Sequence, residues 1–476
     1  MNPHVMTLLA HRSRRQTRRH EADLSHSPAR PTHAAWLYVT MGLLTFLWSN
    51  GAQISILQHP DYNNFLRLLT LVPVGLGVCM LFKQGLAREI WHDVYFRAIL
   101  VLLLVIFVPT LITGVGLYGQ GLVEVVRLPL PHYAMLIFVL LYCWVRPGQS
   151  LACVIAPLCV VIVAVALLYV AASFFPGLVG TMLTPSSQIE DRFNRIRLSG
   201  GAINNLVVFV SLYCVVLVSS DTAPKLTRRA ALLALPVLFY YLTYVLASRT
   251  RLFVVGGCIV VHCVLGAGNA RRRIAIILTA ALALLAGELV MADGPITRLT
   301  RSYESLVEET THDRGNVGIR FDCMQYYWNE FVASGYVGTG LLSAARYSDA
   351  GVGEGMLKGY NLADIGIAAV LFEFGLQGII VTVWLVVRLY KDTREVRKRG
   401  TGYSRDLAVA IQLYLLFYIV SGYHIFLWYE YAFEWGVLLF AVSLMRRSLE
   451  LPGEVTSRNM GALQRKAVLS PGGVKA

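Results

Sequence analysis

Apolar runs long enough to cross a hydrocarbon core of roughly 30 Å recur along this chain from Ala35 almost to its end. Polar, Gly- or Pro-containing breaks separate them. The pattern predicts membrane-crossing helices near residues 35–57, 65–83, 97–115, 125–145, 150–174, 202–220, 231–247, 252–268, 274–292, 363–388, 406–424 and 429–446, about twelve in all. Residues 1–34 are polar and basic with scattered Ser and Pro. They read as a disordered cytoplasmic tail rather than a cleaved leader, because the first apolar run is followed by many more. The expected organisation is a tail over 1–34, nine spans within 35–292, one large loop over 293–362, three spans within 363–446 and a second basic tail over 447–476.

Composition strengthens this picture. Hydrophobic residues make up 56% of the 476 positions and charged residues 15%, with a mean hydropathy of +0.58, which excludes a soluble enzyme of this length. The fold class expected is all-α, a polytopic integral membrane protein. Seven of the eight cysteines fall inside predicted spans and Cys323 alone lies in the large loop, so neither a disulfide framework nor a zinc spacing is visible. No metal or cofactor is expected.

Charge then orients the chain. With the spans alternating, about 29 of the 42 Lys and Arg fall on the side that holds both tails, which the positive-inside rule makes the cytoplasm. The net charge of +14 thereby reflects topology and contact with anionic lipid, and it gives little support to a nucleic-acid partner. The basic residues left on the outer side cluster in three places: Arg192, Arg195 and Arg197 before span six, Arg249 and Arg251 in the short turn between spans seven and eight, and the large loop from Arg298 to Lys358. Snorkelling to lipid phosphates accounts for an isolated Arg67 or Arg127. It accounts poorly for two arginines in one tight outward turn, where positive charge opposes the insertion bias. A guanidinium presents a rigid fork of donors matched to phosphate or diphosphate, so this cluster points to an anionic ligand at the outer leaflet.

Within the large loop, VGIRFDCMQYYWNEFVASG places Ile319, Cys323, Tyr327 and Phe331 at helical spacing, with Met324 and Trp328 alongside, as an aromatic face suited to the membrane interface. The glycines of GYVGTGL and DAGVGEG then break that helix. Two carboxylates enter the spans on the same side. Asp364 opens span ten, where helix capping is the simpler explanation, and Glu373 lies nine residues further along it, where a buried partner is.

Taken in order, these pieces resemble the O-antigen polymerase and O-antigen ligase family of polysaccharide-assembling membrane enzymes. RLSGGAINNL resembles its Arg-x-x-Gly followed by a Pro-Asn or similar pair, through Arg197, Gly200, Asn204 and Asn205. SRTRLFVVGG resembles the Ser-Arg that opens the next helix, through Ser248 and Arg249. GIRFDCMQYYW and GYVGTGL resemble the loop's Arg, Trp and Gly-x-Gly, through Arg320, Trp328, Gly338 and Gly340. FEFGLQGII resembles Glu-x-Gly-x-x-Gly, through Glu373, Gly375 and Gly378. The likeness covers residues 190–380; before that only the hydropathy pattern agrees. Ligases of the family carry a His-Asn pair about nine residues before the glutamate. Asp364 stands there instead, which favours the polymerase branch, while His312 and His424 keep the ligase reading open.

The resemblance implies a GT-C-like, metal-independent glycosyltransferase of undecaprenyl-diphosphate-linked oligosaccharides at the periplasmic face of the inner membrane, with lipids, a flippase and chain-length regulators as partners. Cleaving a sugar-diphosphate bond develops negative charge on the leaving group, and arginines can stabilise it. Arg197, Arg249 and Arg320 are the candidates, with Arg251 second. Asp364 is the candidate base for the acceptor hydroxyl, with Asp322 and Glu373 as alternates. Asn205 is a candidate substrate contact by its motif. Tyr326, Tyr327, Trp328 and Tyr360 would serve as flat surfaces for sugar rings or, equally, as interfacial anchors. A membrane transporter or flippase is the competing class, since about twelve spans with both ends inside suits it too.

Overall fold

The computed structural model describes residues 31–50, 62–145, 151–174, 201–246, 249–265, 316–333, 335–342, 365–422, 426–427 and 431–449, with four isolated positions between 276 and 304. Nearly all of span nine, residues 1–30 and 450–476 of the tails, and Arg197, Tyr360, Asp364, His312 and His424 lie outside them, while 31–34 and 447–449, expected in the tails, belong to helices.

Every regular element among the described residues is helical. In chain order these are α1 (Pro31–Asn50), α2 (Tyr62–Lys83), α3 (Ala87–His92), α4 (Val94–Gly116), α5 (Leu122–Arg127), α6 (Ile137–Trp144), α7 (Ala152–Phe174), α8 (Gly201–Ser219), α9 (Lys225–Tyr240), α10 (Arg249–Leu265), α11 (Asn316–Ala333), α12 (Ile367–Arg399), α13 (Gly402–Ser421) and α14 (432–449). A 3-10 turn at Leu130–Leu136, entered through Pro129 and Pro131, joins α5 to α6, and a π turn at Tyr241–Val245 extends α9. Five segments are long and apolar enough to cross a membrane: Val94–Gly116, Leu122–Trp144, Ala152–Ala171, Ala368–Arg399 and Gly402–Ser421. Shorter apolar helices lie at Ala35–Trp48, Val72–Lys83, Ile203–Ser219 and Arg251–Val264. All fall on apolar runs read from the sequence. The chain is a helical membrane protein.

The centre of the bundle is α8, where nearly every residue from Ile203 to Val218 is buried, as a helix apolar on all faces requires. It packs against α7, α9, α10 and α13, while α12 runs between α4, α11 and α13. Large apolar side chains on the outer faces, such as Leu104, Ile112, Val160 and Ile380, are exposed, which suits a lipid surround.

One end of the bundle is held by carboxylates and basic side chains. Asp93 caps α4 by accepting from the Tyr95 and Phe96 amides at 2.9 and 3.3 Å, and it also accepts from the Ser443 hydroxyl. Buried Asp392 accepts from the Tyr95 hydroxyl at 2.8 Å, Arg388 Nε at 3.0 Å and the Arg446 guanidinium Nη1 at 3.3 Å, tying α12 to α4 and α14. Asp406 on α13 accepts from Ser220 at 2.6 Å and Thr222 at 3.2 Å, and the Arg447 guanidinium lies 4.2 Å over the Tyr142 ring. Asp392→Ala should destabilise the protein by about 1–3 kcal/mol, less than a fully buried ion pair because both arginines are about one-third exposed. A melting temperature in detergent unchanged from wild type would show that the three-helix tie contributes nothing.

Candidate functional site

At the opposite end the chain breaks a helix and fills the break. Span ten is expected from the sequence as one helix from residue 363 through Glu373; the structure corrects this. α12 starts only after Gly366, whose φ is 56°, and its course is interrupted at Gly375, with φ 67° and ψ −167°, a conformation essentially reserved for glycine. The interruption frees the carbonyls of Phe372 and Glu373. Carbonyls without partners inside a membrane cost several kcal/mol each, so a break is tolerated only where other protein groups take them up.

The groups that do so come from GYVGTGL. α11 ends at Gly335 and Tyr336, both with positive φ, and the Tyr336 amide donates back to the Phe331 carbonyl at 3.2 Å. The segment that follows runs into the break: the Thr339 amide donates to the Phe372 carbonyl at 2.9 Å and the Gly340 amide to the Glu373 carbonyl at 2.7 Å. Gln377 Nε2 donates to the Val337 carbonyl at 3.1 Å. On the other side α4 and the connection after it receive the same segment, with the Thr113 hydroxyl donating to the Thr339 carbonyl at 2.6 Å, the Leu341 amide to Thr110 Oγ1 at 2.9 Å, and Gln120 Nε2 to the Leu341 carbonyl at 3.2 Å. Glycine is required at the contacts: a Cβ on Gly338 would stand 2.7 Å from the Gly375 nitrogen, and one on Gly340 would strike the Thr110 backbone. Two short motifs some 35 residues apart in sequence thus form a single structural unit with α4.

Glu373 is buried beside this unit, and Phe372, its neighbour, packs at 4.9 Å on the Tyr327 ring of α11. Burial pushes the Tyr327 phenol above its ordinary range, with Cys323, Tyr326 and Glu373 adding to the effect. The helix expected over the loop is present as α11, and its faces divide differently from the expectation. Cys323 and Tyr327 are core residues against α12 and Phe331 is buried against the Trp328 and Tyr336 rings, whereas Phe321, Met324, Trp328 and Val332 form the exposed stripe. Trp328 therefore faces outward and Asp322 is exposed.

A second polar nest lies at the same end among α8, α9, α10, α13 and α14. The Tyr241 hydroxyl donates to Asn204 Oδ1 at 2.9 Å. The Tyr414 hydroxyl meets the Asn205 carbonyl at 3.2 Å, the Tyr418 hydroxyl at 3.1 Å and Glu434 Oε1. Arg251 is near enough for its charge to act on the phenols of Tyr241 and Tyr418. Asn205 lies wholly inside the bundle, and among the described residues its side-chain amide makes no hydrogen bond. Arg249 is the first residue of α10, two positions before Arg251, and Arg320 lies in the first turns of α11; for both the backbone alone is described.

No protein-family model matches this chain, and no curated protein resembles it significantly.

The site thus joins Gly338, Gly340, Glu373 and Gly375 directly, and places Asn205 and Arg251 in a separate nest. Sequence reasoning missed Thr110, Thr113 and Gln120, which receive the loop, and Glu434, which anchors the nest. For Glu434 a signal was present: it is an acidic residue inside the apolar run 429–446, the same feature that drew attention to Glu373. The polar side chains of α4 carry no comparable mark, since a threonine in a span commonly bonds its own helix, as Thr110 does to the Ile106 carbonyl at 2.6 Å.

Proposed function

We propose that this protein is a polymerase of undecaprenyl-diphosphate-linked oligosaccharide repeat units for O-antigen, capsule or exopolysaccharide, with a GT-C-like arrangement of about twelve spans in the bacterial inner membrane. In this reading the carboxylate-and-arginine end faces the cytoplasm, with both tails, and the broken-helix end faces the periplasm.

The observation that carries the proposal is the docking of the Gly-x-Gly segment into the break after Glu373. It brings two of the four motifs behind the family likeness into hydrogen-bonded contact, where independent short matches would have no reason to meet. The other two, around Asn205 and Arg249, start helices at the same end.

In the reaction, the acceptor hydroxyl oxygen attacks the anomeric carbon of the donor, the bond from that carbon to the diphosphate oxygen breaks, and the diphosphate leaves with the electron pair. Arg197, Arg249 and Arg320 hold the diphosphates and stabilise the charge that develops. Asp364 takes the hydroxyl proton, with Glu373 the alternate. Trp328 and Tyr360 support sugar rings. The charge stabilisation is assigned to guanidinium groups, without a metal or cofactor.

Purified protein in nanodiscs, given lipid-linked repeat units, should produce a ladder of longer glycans. In cells, deletion should leave single repeats. Full-length chains accumulating on the lipid carrier would instead identify a ligase acting on lipid A core. One observation favours a transporter or flippase as second reading: a helix interrupted near a buried carboxylate is a common device of carriers. Substrate movement into proteoliposomes with no change in glycan length would decide for it.

A further inference from the structure

We propose that Glu434 is a buried proton-binding site, occupied in the folded bundle and bridging α8, α13 and α14 through Tyr414.

Three oxygens surround the Tyr414 hydroxyl: the Asn205 carbonyl, the Tyr418 hydroxyl and Glu434 Oε1. Each of these contacts is a hydrogen bond only if one proton lies in it. Tyr414 and Tyr418 own one proton each, and the Asn205 carbonyl owns none. Tyr418 can donate to Tyr414, and Tyr414 to the Asn205 carbonyl. The contact with Glu434 then needs a third proton, and the carboxyl is its only source among the four groups.

With Glu434 ionised, Tyr414 can serve either the carboxylate or the carbonyl, and one pair of oxygens is left facing without a hydrogen. The second carboxylate oxygen points the same way. Glu434 is 1% exposed, and Oε2 has no hydrogen-bond partner among the described residues. The Asn205 side-chain oxygen and nitrogen and the Trp435 indole nitrogen are likewise without one. An ionised oxygen on a side chain this deeply buried would carry the full cost of a desolvated charge.

The nest draws its polar groups from several helices. Tyr414 and Tyr418 come from α13, Asn204 and Asn205 from α8, Tyr241 from the π turn, Arg251 from α10, and Tyr431, at 5.8 Å from the Tyr418 ring, from the position just before α14. The Arg251 charge acts on the phenols of Tyr418 and Tyr241. The proposal stands independently of glycosyl transfer. Its consequence is mechanical: this end of the bundle can open to water only by exposing Glu434, and exposure releases the proton.

Infrared spectroscopy of the full chain in nanodiscs at neutral pH tests it. Wild type should show the carbonyl band of a protonated carboxylic acid, shifted on exchange into deuterated water and lost in Glu434→Gln. Tyr414→Phe, which retains the acid and removes its hydroxyl partner, should move the band to higher frequency; this second variant serves if Glu434→Gln does not fold. A wild-type spectrum without the band, no loss in a folded Glu434→Gln or no shift in Tyr414→Phe would overturn the proposal. So would a band that appears only when sodium is withdrawn, which would make the site one for a cation.

Discussion

Arg249→Ala should purify as a folded protein and fail to lengthen lipid-linked repeat units. Arg249 opens α10 at the broken-helix end of the bundle, where the helix N-terminus adds its own positive field to the guanidinium charge. A charge-assisted, bidentate hold on a leaving diphosphate is worth more in the transition state than in the ground state, because negative charge grows as the sugar bond breaks. Removing one preorganised donor of this kind typically costs a factor of about 100 to 1,000 in rate. Arg320→Ala should behave alike.

Arg251→Ala should differ. Its side chain is half-buried beside Tyr241 and Tyr418, so its loss should lower the melting temperature as well as the rate. Glycan ladders of wild-type length from Arg249→Ala would sink the diphosphate assignment, whatever the behaviour of Arg251→Ala.

Gly375→Ala should destabilise the protein by about 3 kcal/mol or more and abolish elongation, read as a fall in melting temperature together with loss of the glycan ladder. Two costs combine. The backbone conformation at residue 375 is one that side-chain-bearing residues adopt at about 1–3 kcal/mol. A Cβ there would also strike the Val337 carbonyl and stand 2.9 Å from Gln377 Oε1, and forcing atoms into a filled space costs about another 1–3 kcal/mol. The alanine can relax only by expelling the 337–341 segment, which would leave the Phe372 and Glu373 carbonyls without their donors. Gly257→Ala is the control, because a Cβ at that helical position meets nothing within 4 Å. A melting temperature for Gly375→Ala equal to that of the control would mean that the docked break is not what stabilises this end.

Legibility from sequence varied from part to part for physical reasons. The helices at 94–116, 152–174 and 402–421 were plain in the chain because apolar composition over some twenty residues leaves a membrane segment no alternative to helix. The α11 helix was legible by its period, yet which face would be core was not. Cys323 and Tyr327 compete with Phe321, Met324 and Trp328 on nearly equal hydrophobicity, and contact with α12 decides between them. Glu373 and Gly375 stood out as an acid and a glycine in an apolar run. Nothing local says that the helix stops between them and continues afterwards, since the donors that make the stop tolerable come from Thr339 and Gly340.

What the sequence determined by itself is the class of molecule, a helical membrane protein, and the apolar stretches that become its helices. These follow from transfer free energies that depend on composition alone, summed segment by segment. Only the tertiary structure decided that the Gly-x-Gly segment fills the gap at Gly375, that Asn205 is an interior residue, and that Tyr414 gathers Asn205, Tyr418 and Glu434 around one hydroxyl. Those outcomes rest on satisfying particular donors and acceptors where no water competes. The partner that satisfies each one comes from a different helix, so no stretch of sequence contains both halves of the bond.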